Sequence, residues 1–335
     1  MAAAFWLTLS GAAPIVIGHR GASGERPEHT LASYAQAIAD GADFIEPDLV
    51  STRDGILVAR HENEISGTTN IADHPEFAAR HTTKVIDGQQ ITGWFTEDFS
   101  LAELKTLLVR ERLPQLRPAN TAYDGQFEIP TFAEIIALAQ AAPRTVGLYP
   151  ETKHPSYFAS IGLPLEPPLL AALTAAGYSK RSDPVFIQSF EAANLKALHQ
   201  RTDLLLIQLV ATGTSPDGQS YETMMTPAGL REVATYADGI GPNKDRIIPR
   251  DPHGNLLAPT TLVADAHAAN LKVHPWTFRS ENYFLPLDFR SAGTAATHGN
   301  AAAEYQLFYS LGVDAVFSDY PAAAVSARAA AKAAK

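Results

Sequence analysis

The sequence predicts an irregular (β/α)8 TIM barrel with a segment inserted after a hairpin on the second strand. Three observations carry this. Short apolar runs alternate with helical patterns over most of the chain, which is how parallel strands joined by crossover helices read. Nine runs qualify as strands, but 56–61 follows its predecessor through Thr52-Arg53-Asp54-Gly55 with no helix between, so it is a hairpin partner and eight parallel strands remain. The side chains able to do chemistry fall at the C-terminal ends of these runs, where such barrels place their active sites.

Taken in order, residues 1–14 (MAAAFWLTLSGAAP) are apolar and lack Lys and Arg. They are too short to span a membrane. The small-residue end suits a cleaved secretory signal, while the missing basic start suits an ordinary terminus. A first strand, 15–18, runs into His19-Arg20, and a helix over 30–40 is capped by Thr30 and stopped at Gly41. Strand 43–49 (DFIEPDL) turns at Asp54-Gly55, a two-residue hairpin signal, into 56–61. That register sets Asp48 opposite His61 and puts Glu46, Asp48 and His61 on one face. Residues 62–128 show no barrel repeat and carry the loop-like, Pro-rich stretch RERLPQLRPANTAYDGQFEIP, consistent with a lid over the mouth. From 129 the alternation resumes. Strands are expected at 145–151, 185–189, 204–210, 238–241, 272–277 and 313–318, with helices at 131–141, 190–200, 227–236, 259–269 and 301–311. Thr131-x-x-Glu134 is a capping box, and Thr226 precedes Pro227 at a helix start. The barrel thus comprises 15–61 and 129–322, leaving 323–335, rich in Ala, as a closing helix and C-terminal tail.

Composition narrows the function. A formal net charge of −10 argues against nucleic acid as a partner. The chain has no cysteine, which excludes disulfides, thiol nucleophiles and zinc–thiolate centres. Gly18, Gly21 and Gly24 have the wrong spacing for a dinucleotide-binding loop.

The strand ends read His19-Arg20, Glu46/Asp48, Glu151/Lys153, Gln188/Phe190, Trp276 and Ser318/Asp319. Three carboxylates converging on one mouth repel one another unless a cation joins them, and an all-oxygen set suits a hard ion, Ca²⁺ or Mg²⁺. Two histidines beside them suit proton transfer. Arg20 and Lys153 supply positive charge for a phosphate or a carboxylate.

These stretches resemble the glycerophosphodiester phosphodiesterase family. The resemblance rests on HRGASGERPEHT (19–30), FIEPDLVSTRDGILVARHE (44–62), YPETK (149–153), FIQSF (186–190), HPWTF (274–278) and VDAVFSDYP (313–321), which run in family order over nearly the whole chain. "EHTL" and the long segment after His61 look most like the secreted or periplasmic bacterial branch, so a periplasmic or secreted setting is expected, with a cytoplasmic one as the alternative. The resemblance implies one divalent cation, Ca²⁺ or Mg²⁺, held by Glu46, Asp48 and Glu151. It implies His19 and His61 as the acid–base pair, and Arg20 and Lys153 on the phosphate. Phe190 and Trp276 would wall the glycerol side, with Gln188 also facing substrate. The resemblance further implies that residues 62–128, after His61, are an insertion. Two features depart from the family's habit: Glu62 follows His61 where an Asp is common, and Pro47 interrupts Glu46-Pro47-Asp48.

The expected reaction is metal-dependent hydrolysis of a small glycerophosphodiester to sn-glycerol 3-phosphate and an alcohol. No stable membrane insertion is expected, and the sequence leaves the oligomeric state open. Which histidine is acid and which base also stays open, as does direct water attack against a cyclic phosphate. Alternatives are a phospholipase C- or D-like lipid phosphodiesterase and a non-catalytic barrel that only binds.

Overall fold

A computed structural model describes residues 13–333. The segment 1–14, apart from its last two residues, and the final two residues of the chain lie outside the described part. The strands are β1 (Ile15–His19), β2 (Phe44–Glu46), β3 (Asp48–Ser51), β4 (Leu57–Ala59), β5 (Thr82–Ile86), β6 (Gln89–Gly93), β7 (Gly147–Leu148), β8 (Glu151–Thr152), β9 (Phe186–Ser189), β10 (Leu205–Val210), β11 (Gly239–Pro242), β12 (Lys272–Val273) and β13 (Ala315–Ser318).

Two strands are broken by proline. Pro47 has no N–H for a ladder bond, and the expected 43–49 strand splits there: β2 pairs in parallel with β1 and β7, whereas β3 pairs with β8 and β4. Pro150 splits 145–151 in the same way, into β7 and β8. The barrel is therefore two offset sheets, β13-β1-β2-β7 and β12-β11-β10-β9-β8-β3-β4. Counting each split strand once gives eight parallel positions. The circle closes between β12 and β13, where Asp314 N donates to Val273 O at 2.9 Å and Phe317 N to Pro275 O at 3.1 Å. Only 272–273 of the expected 272–277 strand is regular, because Pro275 again lacks the donor.

The expected hairpin register is corrected. Leu49 pairs with Ala59 and Ser51 with Leu57. The turn is a three-residue loop, 53–55, closed by Thr52 N on Ile56 O and by Gly55 N on Thr52 O, with Gly55 at φ +78°. The extra residue shifts the pairing by one. Asp48 O accepts from Arg60 N, not His61, and His61 reaches the mouth from beyond the end of β4.

Between barrel strands run helices such as Leu31–Ala39, capped by Thr30, and Phe132–Gln140, whose Thr131/Glu134 capping box is formed in both directions. The terminal stretch 323–335, expected in part as a tail, is helical from Pro321 to Ala333. Ala324 and Ala327 are buried there, and Arg328 pairs with Asp43, so this helix packs against the barrel. The core has two layers. A large one lies between sheet and helices; a small one inside the barrel contains Ile17, Tyr149, Phe186, Ile207, Ala315 and Phe317. Tyr149 stacks on Phe186 at 5.0 Å and meets Phe317 edge-on at 5.0 Å. This aromatic layer fills the barrel beneath the strand ends and leaves the chemistry above it.

Candidate active site

The site begins where β1 ends. Ser23 Oγ donates to His19 O at 2.9 Å, folding the chain back sharply. Gly21 makes this turn possible: at φ +87° its missing Cβ would lie 2.5 Å from the Ser33 backbone. Arg20 also adopts a left-handed φ of 57°, which aims its N–H at Glu46 Oε2, 2.8 Å away. Its guanidinium reaches Glu28 Oε2 at 2.8 Å and Asp48 Oδ2 at 3.3 Å.

The two proline breaks bring the carboxylates together. Glu46 closes β2, Asp48 opens β3, and Glu151 opens β8, where it stands in register with both Asp48 and Gln188. All three are buried, and each offers an oxygen within 4.8 Å of the others. Burial and the neighbouring Asp48 and Glu151 charges push Glu46 well above the usual carboxylate range. Burial, with Asp48 beside it, pushes Glu151 up to about 8, although Lys153 opposes this. Asp48 goes the other way: burial would raise it, but Lys153, His61, a hydrogen bond from His29 and Arg20 hold it well below its ordinary value. Gln188 Nε2 donates to Glu46 Oε1 at 3.2 Å, while its Oε1 is buried without a partner. Two crowded acids pushed above the usual carboxylate range beside an ionised third, oxygen donors only, and an unsatisfied amide oxygen alongside fit a hard divalent cation.

Both histidines are held through Nδ1 by a carboxylate. His19 Nδ1 lies 2.6 Å from Asp319 Oδ1, and His61 Nδ1 contacts Glu62 Oε1. Burial and Arg20 lower His19 to about 4 against the opposing pull of Asp319. Burial, Arg20 and Lys153 lower His61 to about 3. Both imidazoles are thus neutral at neutral pH, with the proton on the nitrogen facing the carboxylate; Nε2 of His19 is open to accept another, while that of His61 faces the Lys153 ammonium. The Lys153 ammonium is 3.3 Å from His61 Nε2 and 3.0 Å from Glu151 Oε1.

A cavity of about 310 Å³ opens over this cluster, lined among others by His19, Arg20, His61, Gln188, Phe190 and Trp276 together with the three carboxylates. Phe190 and Trp276 meet edge-on at 5.8 Å and form its apolar side. Lys153, expected on the phosphate, stands at the cavity's edge, its ammonium against Glu151, His61 and the Phe190 ring, which border it. The other nine residues expected at the site all border it.

Sequence reasoning missed several partners. Asp319 was read as a strand-end carboxylate but not tied to His19. His29, which precedes the Thr30 cap, is fully buried and binds Asp48 Oδ2 through Nε2 at 2.9 Å. Arg117 and Arg112 enter from the inserted segment, Arg117 on Asp319 and Arg112 on Glu28 and Glu62. Nothing local in their Pro-rich surroundings marks them.

With this geometry in hand, comparison with known proteins is specific. A glycerophosphodiester phosphodiesterase of Arabidopsis thaliana is 40% identical over 323 residues, covering 92% of this chain and 84% of its own length. One from Haemophilus influenzae is 32% identical over 297 residues, covering 80% of this chain and 79% of its own. Among solved structures, a phosphodiesterase from Oleispira antarctica, in complex with the product sn-glycerol-3-phosphate, superposes with a TM-score of 0.61 at 22% identity, covering 94% of this chain and 96% of that one. A glycerophosphodiester phosphodiesterase from Agrobacterium tumefaciens gives 0.58 at 18% identity, covering 94% and 99%. These structural likenesses speak to the barrel. Residues 19–323, from the first histidine of the site to just beyond its last aspartate, match the family pattern, and the chain belongs to the glycerophosphoryl diester phosphodiesterase family.

Proposed function

We propose that this chain hydrolyses small glycerophosphodiesters to sn-glycerol 3-phosphate and an alcohol, with His19 and His61 moving protons. Glu46, Asp48 and Glu151 would hold one divalent cation, Ca²⁺ or Mg²⁺. The observation that carries the reading is the pair of imidazoles, each held at Nδ1 by a carboxylate, bordering the same cavity as three carboxylates within 4.8 Å of one another. A bound cation would supply positive charge to the phosphoryl oxygens as their charge spreads in the transition state. Arg20 adds a second, fixed positive charge at the same place.

The reaction makes one P–O bond and breaks another, between phosphorus and the head-group oxygen. One Nε2 takes the proton of the attacking hydroxyl, whether of water or of the substrate's own glycerol; in the second case water then opens the cyclic phosphate in a second displacement that makes one further P–O bond and breaks one. The other imidazole, taking up a proton at Nε2 as the anionic phosphodiester binds beside it, gives that proton to the departing alkoxide, a service worth about 10²–10⁴-fold. Lys153 holds Glu151 in place and directs a positive charge at His61, disfavouring protonation there before substrate arrives. Phe190 and Trp276 offer an apolar wall to the glycerol carbons, and the unpartnered Gln188 Oε1 offers an acceptor to a glycerol hydroxyl. That the Oleispira antarctica relative holds sn-glycerol-3-phosphate supports this substrate class. Among the described residues no helix is long and apolar enough to cross a membrane.

The test is release of glycerol 3-phosphate from glycerophosphocholine, with and without chelator. Turnover that stops on chelation and returns with Ca²⁺ or Mg²⁺ is expected. Full turnover in excess chelator would refute the metal assignment. Activity on phospholipid liposomes with none on the soluble diester would favour a lipid phosphodiesterase instead.

A further inference from the structure

We propose that Arg117, brought in by the inserted segment, is a positioning residue that acts on His19 through Asp319. The proposal rests on the reading of His19 as a proton-transfer group. It gives the insertion, expected as a lid, a further part as a strut that joins loops at the mouth of the barrel.

Asp319 is buried and carries two loads. Its Oδ1 accepts from His19 Nδ1 at 2.6 Å, and its Oδ2 accepts from Arg117 Nη2 at 2.5 Å and from Arg279 Nε at 2.8 Å. A carboxylate kept ionised can only accept, so it fixes the His19 proton on Nδ1 and leaves Nε2 bare toward the cavity. Of the two guanidiniums that steady it, Arg279 is partly exposed, while Arg117 is almost wholly enclosed.

Each nitrogen of the Arg117 fork has a partner. Nε donates to Glu281 Oε1 at 2.6 Å, Nη1 to Ser23 O at 2.9 Å and Nη2 to Asp319. Glu281 is itself buried and takes a second bond from Tyr320 OH at 2.9 Å. One planar group therefore ties together three separate barrel loops: that of Ser23, that of Glu281 and the end of β13. Ser23 is also the residue whose hydroxyl bonds the His19 carbonyl, so Arg117 steadies His19 at its backbone and at its ring. A neighbour in the insertion reinforces the contact, since Asn120 Nδ2 also donates to Ser23 O, at 3.2 Å. A lysine could keep the charge but could not reproduce three bonds in fixed directions.

Misplacing a proton-transfer group by about 1 Å can cost about 10²-fold. The expected phenotype of Arg117→Lys is therefore a fall in kcat of about 10- to 100-fold with KM changed by less than about 2-fold. Its fold, read by far-UV circular dichroism, and its Ca²⁺ affinity, read by calorimetry, should match the parent, because Arg117 touches none of the three carboxylates. The decisive readout is the His19 imidazole in histidine-labelled protein. ¹⁵N NMR at neutral pH should show a single Nδ1–H tautomer in the parent and a mixture in the variant. A merely structural ion pair would not move that signal.

A folded Arg117→Lys protein with parental kcat and one tautomer overturns the proposal. So does a loss of kcat with the tautomer intact, since the effect would then not run through His19. If Arg117→Lys fails to fold, Glu281→Gln carries the same test, because it keeps the volume and loosens Arg117's other anchor, along with the bond from Tyr320; unchanged kcat and tautomer there overturn the proposal equally. His19→Ala separates this from the underlying reading: an active His19→Ala protein refutes proton transfer by His19, whereas an inactive one beside an unaffected Arg117 variant refutes only the strut.

Discussion

His29 shows how one buried side chain can set the properties of another. Its backbone is left-handed, at φ 56°, and its ring has no exposed atom. Nδ1 lies 2.7 Å from Tyr34 OH and Nε2 2.9 Å from Asp48 Oδ2. Since Asp48 can only accept, Nε2 donates and Nδ1 accepts from the tyrosine, which fixes the tautomer. With Arg20 Nε also near Oδ2, the other Asp48 oxygen is the one left for a cation. Removing such an outer partner commonly weakens metal binding by about 10- to 100-fold. His29→Ala should therefore raise the Ca²⁺ or Mg²⁺ dissociation constant by that order, measured by calorimetry on folded protein, and unchanged affinity would deny the role. His19→Ala and His61→Ala should each lower kcat by about 10²–10⁴-fold with the fold intact. A variant retaining a tenth of parental kcat would not have lost its acid or base. His19 and the three carboxylates were legible from sequence because strand ends aim side chains at one mouth; His61 was set beside them through a register one residue off, and reaches the mouth from beyond β4. Their holders were not: Asp319 and His29 sit 300 and 19 residues from the groups they bind, and only the fold brings them near.

At the scale of elements, two Asp-Gly pairs show what a turn motif can and cannot say. Asp87-Gly88 joins β5 to β6 as a two-residue loop with both residues at positive φ, 49° and 77°. The sequence reading passed over that hairpin inside the insertion. At Asp54-Gly55 only the glycine is left-handed, the loop holds three residues, and the expected register slips by one. The dipeptide marks a reversal, but the choice between loop lengths depends on what the flanking strands pack against. The capped helices were read within one to three residues because their signals are local; the prolines that split two strands were visible, but not that each break would set carboxylates facing one another. The closing seam between β12 and β13 offers a test by pH. Asp314 Oδ2 accepts from Val273 N at 2.9 Å and from His267 Nε2 at 2.9 Å, and that hydrogen bond raises the His267 pKa above 6.5. A histidine raised in the folded state stabilises fully below its unfolded pKa, and the contribution fades as pH rises through the folded value. His267→Ala should thus be destabilising at pH 6 and have less effect well above the folded pKa, by urea denaturation. The side chain is 42% exposed, so solvent screening keeps the effect under about 1 kcal/mol. A penalty that does not shrink as pH rises would mean the pair contributes nothing to the seam.

For the molecule as a whole, the carboxylate trio makes stability depend on what occupies it. Glu46 and Glu151 are pushed up by burial and mutual repulsion, Glu151 to about 8. Without a cation, the folded chain therefore binds protons there that the unfolded chain has released, so its stability falls as pH rises from about 4.5 to about 8. A divalent cation favours the ionised forms and should reverse that trend, since it binds the folded state and not the dispersed carboxylates of the unfolded one. At one hundred times its dissociation constant such a ligand adds about 2.7 kcal/mol. Unfolding entropy near 60 °C is about 2.1 cal/mol/K per residue, and for 335 residues the gain becomes a Tm increase of about 4 °C. The increase should be larger at pH 8 than at pH 5, where the acids hold their protons and compete with the metal. Glu151→Gln removes one of the repelling charges. Its apo form should melt no lower than the apo parent at pH 8, and should respond only weakly to Ca²⁺ or Mg²⁺. Calorimetric melts of parent and variant, with and without cation at both pH values, decide the matter. If millimolar Ca²⁺ and Mg²⁺ leave the parent's Tm unmoved at pH 8, the trio does not hold either ion, and its crowding would need another source of positive charge, with the Lys153 ammonium, 3.0 Å from Glu151, the group already in place to supply it.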